Sequence, residues 1–140
     1  MPLKVQRADV WAGMIDDKPG GLVGKLEPLT QAGASFQFLL ARRKPNHPNS
    51  GVVFLTPLKG AKQMRAAQAN GFTKVDRVQA LRIEAADKPG LGVDIARKIA
   101  AAGINLRGFS AAAVGKTAVI YLGFDGAADV AKALKALKGK

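Results

Sequence analysis

The second half of the chain shows the clearest alternation of hydrophobic and polar positions. Leu81, Ile83 and Ala85 alternate with other residues at the two-residue period of a half-buried strand. Apolar residues then recur at helical spacing from Ile95 to Ala102. Gly103 follows where a helix C-cap is expected. The pattern therefore predicts a strand, a turn and an amphipathic helix.

The rest of this half continues with strands and a helix. Ile104 is predicted to begin a second strand, and residues 118–124 are predicted to form a third. Val130, Leu134 and Leu137 then lie at i, i+4 and i+7, which is the spacing of one helix face. The predicted order of elements is βαββα.

The first half of the chain repeats this pattern. An offset of 70 places Asp-Lys-Pro-Gly at 17–20 on the same four residues at 87–90, and beyond residue 50 the offset becomes 66. The four extra residues fall within 44–50, whose Pro and Asn content predicts a loop at a hairpin tip. The elements predicted in this copy are a strand at 8–15, a helix at 20–32, strands at 34–43 and 51–58, and a helix at 61–70. Pro28 within the first helix predicts a kink or an early stop.

The fourth strand of the second copy is predicted to come from the N-terminus. Residues 73–77 offer a fourth strand to the first copy, whereas the second copy ends at Lys140 with no equivalent. Residues 3–7 resemble 74–77, so we expect them to complete the second sheet. The predicted domains are 8–77 and 78–140, with residues 1–7 supplying the fourth strand of the latter. Units of this size bury small cores by themselves, which favours pairing them.

Composition narrows the class of protein. Of the 140 residues, 22 are Lys or Arg and 10 are Asp or Glu, which gives a net charge of +12, and none is Cys. A chain that is 48% hydrophobic is expected to fold. The absence of Cys excludes disulfides, thiolate nucleophiles and thiolate metal sites. Without a long apolar run or a leader-like N-terminus, we expect a cytoplasmic protein with no membrane segment.

The motifs of both copies resemble the ACT domain, present twice in tandem. The resemblance lies in the opening strand, Asp-Lys-Pro-Gly, a helix, and Ala-Gly-Ile-Asn-Leu at 102–106; the first copy has Ala-Ser-Phe at 34–36 where the second has Ile-Asn-Leu. It implies an α+β fold of two ferredoxin-like βαββαβ repeats, with antiparallel sheets, packed side by side. It also implies a free-standing regulatory or sensor protein that binds an amino-acid ligand at the interface between the repeats, beside the strand–helix loops.

These loops also have a physical reason to bind a ligand. If Pro19 occupies the first helical position, the next three N–H groups lack intrahelical partners and attract an anion such as a carboxylate. Lys18 adds positive charge, Asp17 can accept a hydrogen bond from an ammonium group, and the second copy offers the same groups. The resemblance adds Ser35 and Asn105, at the start of the second strand of each copy.

The candidate ligand-binding residues are Asp17, Lys18, Gly20, Gly21, Leu22, Ser35, Asp87, Lys88, Gly90, Leu91, Gly92 and Asn105. The competing interpretation is that Asp-Lys-Pro-Gly is only a turn and helix start, in which the Asp caps its own backbone.

Catalysis and metal binding have little support in the sequence. His47 is the only histidine, and one His without Cys or a second His does not make a metal cluster. We predict that it is an exposed loop residue. Asp16 and Asp17 are adjacent at a strand end and point apart, and no nucleophile–base arrangement accompanies them. We therefore predict no catalytic residue, metal or cofactor, and expect a protein that is not an enzyme.

The positive charge supports an alternative function. Between residues 28 and 75 there are seven basic residues and no acidic one, as expected of a basic scaffold that binds nucleic acid or an acidic protein. Nucleic acid is the less favoured partner, because aromatic residues are only 6% of the chain and the stacking motif of RNA-binding sheets is missing. The candidate partners are a small-molecule ligand, a regulated protein and a second copy of the chain.

Overall fold

The computed structural model describes residues 3–74 and 79–138. The chain divides into two compact units, Asp9–Val75 and Met1–Ala8 with Asp76–Lys140, which we call the first and the second repeat. In chain order the elements are β1 (Lys4–Ala8), β2 (Trp11–Asp16), α1 (Gly21–Gln31), β3 (Phe38–Arg43), β4 (Ser50–Thr56), α2 (Gly60–Ala69), β5 (Thr73–Lys74), β6 (Gln79–Ala86), α3 (Leu91–Ala101), β7 (Gly108–Val114), β8 (Thr117–Phe124) and α4 (Ala127–Lys138). No helix in the described part of the chain is long and apolar enough to cross a membrane.

The first repeat contains one four-stranded antiparallel sheet and the helices α1 and α2. The strand order is β3-β4-β2-β5. Trp11, Val53 and Leu55 of the sheet pack with Leu29 of α1 and with Phe72 in a buried core. Residues 75–77 of the predicted fourth strand lie outside the described residues.

The second repeat has the same architecture, and its fourth strand comes from the N-terminus. The order is β1-β6-β8-β7, and β1 pairs antiparallel with β6 from Lys4 opposite Glu84 to Ala8 opposite Ala80. Val5 joins the core formed by β6, β8, α3 and α4. The predicted fold class, two ferredoxin-like repeats with antiparallel sheets, is confirmed, and so is the crossing of the N-terminal strand.

The strand that follows the first helix of each repeat begins later than predicted. We expected strands from 34 and 104, but β3 begins at Phe38 and β7 at Gly108. The N–H of Ala34 donates to the carbonyl of Leu29 (3.0 Å), and that of Ile104 donates to Ile99 (3.2 Å). Because these amides close the helix C-terminus, they are not available to a sheet.

Two further details of the first repeat differ from the alternatives that the sequence offered. Helix α1 covers nearly all of the predicted range 20–32 and continues past Pro28 to Gln31, so the proline does not end it early. The predicted hairpin loop is present, but its insertion is shorter than the four residues predicted. Val53 pairs with Gly13, and Ile120 pairs with Ile83. Because 13 and 83 are related by the offset of 70, Val53 corresponds to Ile120. The offset after the hairpin is therefore 67 and the insertion is three residues, since a one-residue slip would turn the buried Val53 to the other face.

Candidate functional site

The two strand–helix loops, residues 17–20 and 87–90, have the same backbone geometry. Gly20 and Gly90 are the N-caps of α1 and α3 and have positive φ angles of 84° and 89°. This left-handed conformation explains the glycine at both positions. Pro19 therefore lies before the N-cap and not at the first helical position, which corrects the prediction.

The first turn of each helix leaves amide groups without a partner. The N–H of Gly21 donates to the carbonyl of Lys18 (3.0 Å), and that of Leu91 donates to Lys88 (3.3 Å), so these two predicted donors are engaged within the turn. The next two N–H groups of each helix precede the first intrahelical bond and have no partner among the described residues: Leu22 and Val23 in α1, and Gly92 and Val93 in α3. Such unpaired groups favour an anion.

The first loop is tied to the neighbouring β3–β4 hairpin. Arg43 Nε donates to Asp17 Oδ2 at 2.8 Å, and the N–H of Asp17 donates to the carbonyl of Asn49 at 2.9 Å. Lys18 Nζ lies 3.9 Å from Asp16 Oδ2. Both charged side chains of this loop therefore have a partner within the repeat.

Among the described residues, the charged side chains of the second loop have no ion-pair partner. The N–H of Asp87 donates to the carbonyl of Lys116 in the β7–β8 turn (2.8 Å). The side chains of Asp87 and Lys88 are exposed and form no ion pair among the described residues. Within residues 3–74 and 79–138, the second repeat therefore offers an unpaired carboxylate and an unpaired ammonium group next to the amides of Gly92 and Val93.

Several predicted ligand residues have structural roles instead of side-chain contacts with a ligand. Leu91 is buried in the core of the second repeat, and Leu22 packs against that of the first. A Cβ at Gly21 would collide with the carbonyl oxygen of Asp16, so the close approach of the chain accounts for this glycine. At Gly92 a Cβ would lie 3.7 Å from Phe109 Cζ. The structure therefore has room for a side chain at Gly92, and this residue can contribute only its backbone N–H group to a candidate site.

Ser35 and Asn105 are not at the start of a strand. Both are exposed and lie three residues before β3 and β7. Neither makes a hydrogen bond to the loops among the described residues. Their prediction as ligand contacts came from the resemblance alone and is untested.

Sequence reasoning missed Arg43, Asn49 and Lys116, which hold the two loops in place. The strand pairing could have identified them, because Asp16 lies opposite Ser50 and Ala86 lies opposite Thr117. The end of the strand before each loop is thus beside the tip of the following hairpin.

A charged network on the second sheet was also missed. Arg82 Nη1 donates to Glu84 Oε1 at 3.0 Å and Arg82 Nε to the Tyr121 hydroxyl at 3.2 Å. These side chains lie on the face opposite the helices, where the first repeat has Ala12, Met14 and Phe54 at the corresponding positions. The hydrogen bond from Arg82 lowers the pKa of Glu84, and the same bond raises the pKa of Arg82.

Metal binding finds no support within residues 3–74 and 79–138, where no group of three or more His, Cys, Asp or Glu side chains could hold an ion. His47 is exposed in the hairpin loop, as predicted, with Nδ1 3.2 Å from the carbonyl of Pro45.

Comparison with known proteins gives a likeness of fold. No protein-family model matches the sequence, and no curated protein matches it. Among solved structures, protein BT0572 from Bacteroides thetaiotaomicron superposes with a TM-score of 0.79 at 15% identity, over 96% of this chain and 89% of that one. The ligand-free regulatory subunit of aspartate kinase from Thermus thermophilus gives 0.67 at 13% identity, over 99% and 96%. That from Thermus flavus gives 0.63 at 14% identity, over 99% and 96%. The chain thus has the fold of these regulatory subunits over nearly its whole length.

Proposed function

We propose that this protein is a non-catalytic regulatory protein that binds an amino acid beside its strand–helix loops and acts through a protein partner. The observation that carries the proposal is the repeated loop, in which a left-handed glycine N-cap precedes two amide groups that have no partner among the described residues of either repeat. The likeness of fold to regulatory subunits of aspartate kinase supports the regulatory class.

An amino acid suits the chemistry of the second loop. Its carboxylate would accept hydrogen bonds from the N–H groups of Gly92 and Val93, where the helix terminus carries partial positive charge. Lys88 would add attraction for the same group, and Asp87 would accept a hydrogen bond from the ammonium group. The first loop is a weaker candidate, because Asp17 is already paired with Arg43 at 2.8 Å and Asp16, 3.9 Å from Lys18, adds negative charge beside it.

Regulation requires that the ligand favours one state of the protein over another. A ligand that binds two states equally shifts neither, however tightly it binds. We propose that a partner protein recognises the favoured state. That the ligand lies at an interface between the repeats remains an expectation from the resemblance.

The proposal can be tested by thermal unfolding in the presence of each of the twenty amino acids. A ligand at about a hundredfold excess over its Kd stabilises by about 2.7 kcal/mol, which raises the Tm by several degrees in a chain of this size. Lys88→Glu should weaken binding by about tenfold or more, because hydrogen bonds to charged groups contribute about 1.5–3 kcal/mol.

Lys18→Glu is the matched control, because it makes the same charge reversal at the corresponding position of the first loop. We expect it to leave binding nearly unchanged. An equal loss in both variants would contradict the preference for the second loop, and no Tm rise with any amino acid would contradict the proposed ligand class.

A basic scaffold remains the second candidate, favoured by the surface of α2. Lys62 and Arg65 are exposed on this helix and have no carboxylate partner among the described residues. A short oligonucleotide and an acidic peptide therefore belong in the same unfolding screen. A salt-sensitive Tm rise with either one, lost in Lys62→Glu but retained in Lys88→Glu, would favour this function.

A further inference from the structure

The end of helix α2 carries a chemically labile pair of residues, Asn70 followed by Gly71. Asparagine is one of the residues that limit the chemical durability of proteins. Because glycine has no side chain, its backbone nitrogen can reach the side-chain amide carbon of the preceding asparagine with little steric hindrance. The chain has four asparagines, and the other three precede larger residues, namely His47, Ser50 and Leu106. Asn70 is therefore the asparagine whose sequence context most favours loss of the side-chain amide.

Two hydrogen bonds hold this segment in the folded protein. Asn70 Nδ2 donates to the carbonyl of Ala66 at 2.7 Å, and the N–H of Gly71 donates to the carbonyl of Gln68 at 3.2 Å. In deamidation the first of these nitrogens is the leaving group and the second is the nucleophile. Both bonds must therefore break before the reaction, which requires that the end of α2 opens. Opening of one helix end costs much less free energy than unfolding of the whole chain.

A positive charge lies beside the reacting groups. Lys25 Nζ is 3.0 Å from the position that a Cβ on Gly71 would take and 5.3 Å from the centre of the Phe72 ring. Within the described part of the chain, this ammonium group has no carboxylate partner. A nearby cation favours the anionic form of a titrating group and stabilises negative charge that develops during a reaction. Lys25 therefore favours both the deprotonated nitrogen of Gly71 and the oxyanion that forms on the side chain of Asn70.

We propose that Asn70 is a site of spontaneous deamidation in the folded protein, assisted by Lys25, and that the reaction traps the end of α2 in an open state. The backbone nitrogen of Gly71 loses its proton and forms a bond with Asn70 Cγ. The bond from Cγ to Nδ2 breaks, and Nδ2 takes up a proton and leaves as ammonia. Water then opens the succinimide ring at either carbonyl, which gives aspartate or isoaspartate. Neither product has a donor for the carbonyl of Ala66, so the hydrogen bond that closed the helix end does not re-form.

The trapped state weakens the first repeat. The next residue, Phe72, is 1% exposed and belongs to the core of this repeat, and Thr73 pairs with Ala12 in the sheet. Isoaspartate lengthens the backbone by one methylene group directly before these residues. A carboxylate at this position also meets the negative end of the helix dipole. The inference involves no ligand, so its outcome is independent of the proposed function.

Peptide mass spectrometry of all four asparagines, after incubation of the full chain at mildly alkaline pH, measures the reaction. We expect Asn70 to convert first, and more slowly than in the urea-unfolded chain, because the helix end must open. Lys25→Met should slow the conversion severalfold. Lys62→Met makes the same change at an exposed position of α2 and should leave the rate unchanged. Faster conversion at any other asparagine of the folded chain would overturn the proposal, as would an undiminished rate in Lys25→Met.

Amide hydrogen exchange tests the trapped state. Asn70→Asp carries one of the two products in every molecule and should raise the exchange rates of the amides of residues 70–72 about fivefold, as expected for the loss of one hydrogen bond. Asn105→Asp is the matched control, because it makes the same change at an exposed position of the second repeat. Unchanged exchange in Asn70→Asp would overturn the proposal, and so would an equal rise in Asn105→Asp.

Discussion

At the scale of single residues, the hydrogen bond between Arg82 and Glu84 makes stability depend on pH. The bond lowers the pKa of Glu84 from its usual value of 4.5. A carboxyl group whose pKa is lower in the folded than in the unfolded protein stabilises the fold above its unfolded pKa, and this contribution is lost as the pH falls through the folded pKa. We therefore expect the unchanged protein to lose stability more steeply below pH 4.5 than Glu84→Gln.

Urea unfolding of both proteins over a series of acidic pH values measures this difference. The free energies of unfolding should converge as the pH falls, because Glu84 is then protonated and resembles the amide of Gln. Glu27→Gln is the control, since Glu27 is an exposed acidic side chain on α1 with no ion pair among the described residues. A constant difference between Glu84→Gln and the unchanged protein at every pH would contradict the assigned role of this carboxylate.

At the residue level, the local pattern located the helix starts but not their caps. Pro-Gly before an apolar periodic segment predicts a helix N-terminus, yet Gly20 and Gly90 are the N-caps, and Pro19 precedes the cap instead of beginning the helix. The ion pair of Asp17 with Arg43 joins residues 26 apart and needs the hairpin register. The predicted set of ligand-binding residues stays a prediction.

At the scale of elements, β1 stabilises the second repeat, to which it is joined by hydrogen bonds. It does not stabilise the first repeat, which follows it directly in the sequence. It pairs with β6 along five residues, and Val5 is buried in the core of the second repeat. Deletion of residues 1–7 should therefore increase amide hydrogen exchange in β6 and β8 much more than in β2 and β4. Equal changes in both sheets, or none, would contradict this assignment.

A point variant separates lost contacts from altered chain length. Val5→Ala keeps the strand but removes two methyl groups from the core, and we expect it to destabilise the second repeat by about 1–2 kcal/mol, somewhat above the cost of deleting one buried methylene. Arg7→Ala, at an exposed position of the same strand, should change stability by less than about 0.5 kcal/mol.

The order of the elements was predictable from hydrophobic periodicity, but their exact limits were not. The late starts of β3 and β7 follow from hydrogen bonds that close the C-termini of the preceding helices. The apolar residues of segments 34–37 and 104–107 resemble a strand pattern and do not reveal these hydrogen bonds. The three-residue insertion was predicted as four, because Val119 and Ile120 match Val53 equally well in character. Only the pairing with Ile83 identifies Ile120 as the buried counterpart.

At the scale of the whole molecule, each repeat has a hydrophobic core of its own. Among the described residues, the core of the second repeat contains fifteen buried side chains and that of the first contains seven. Because the buried apolar area determines most of the stability of a unit, we expect the first repeat to unfold at a lower denaturant concentration. The only tryptophan, Trp11, lies in the first core, so its fluorescence reports on that repeat alone.

The expected result is a fluorescence transition at a lower urea concentration than the transition in far-ultraviolet circular dichroism, which averages over both repeats. Coincidence of the two transitions would contradict independent unfolding and would mean that the repeats unfold together. Val53→Ala and Ile120→Ala form a matched pair, because these residues occupy corresponding buried positions in the two sheets. Independent cores require that Val53→Ala shifts the fluorescence transition and that Ile120→Ala leaves it in place, since each cavity weakens only the core that contains it.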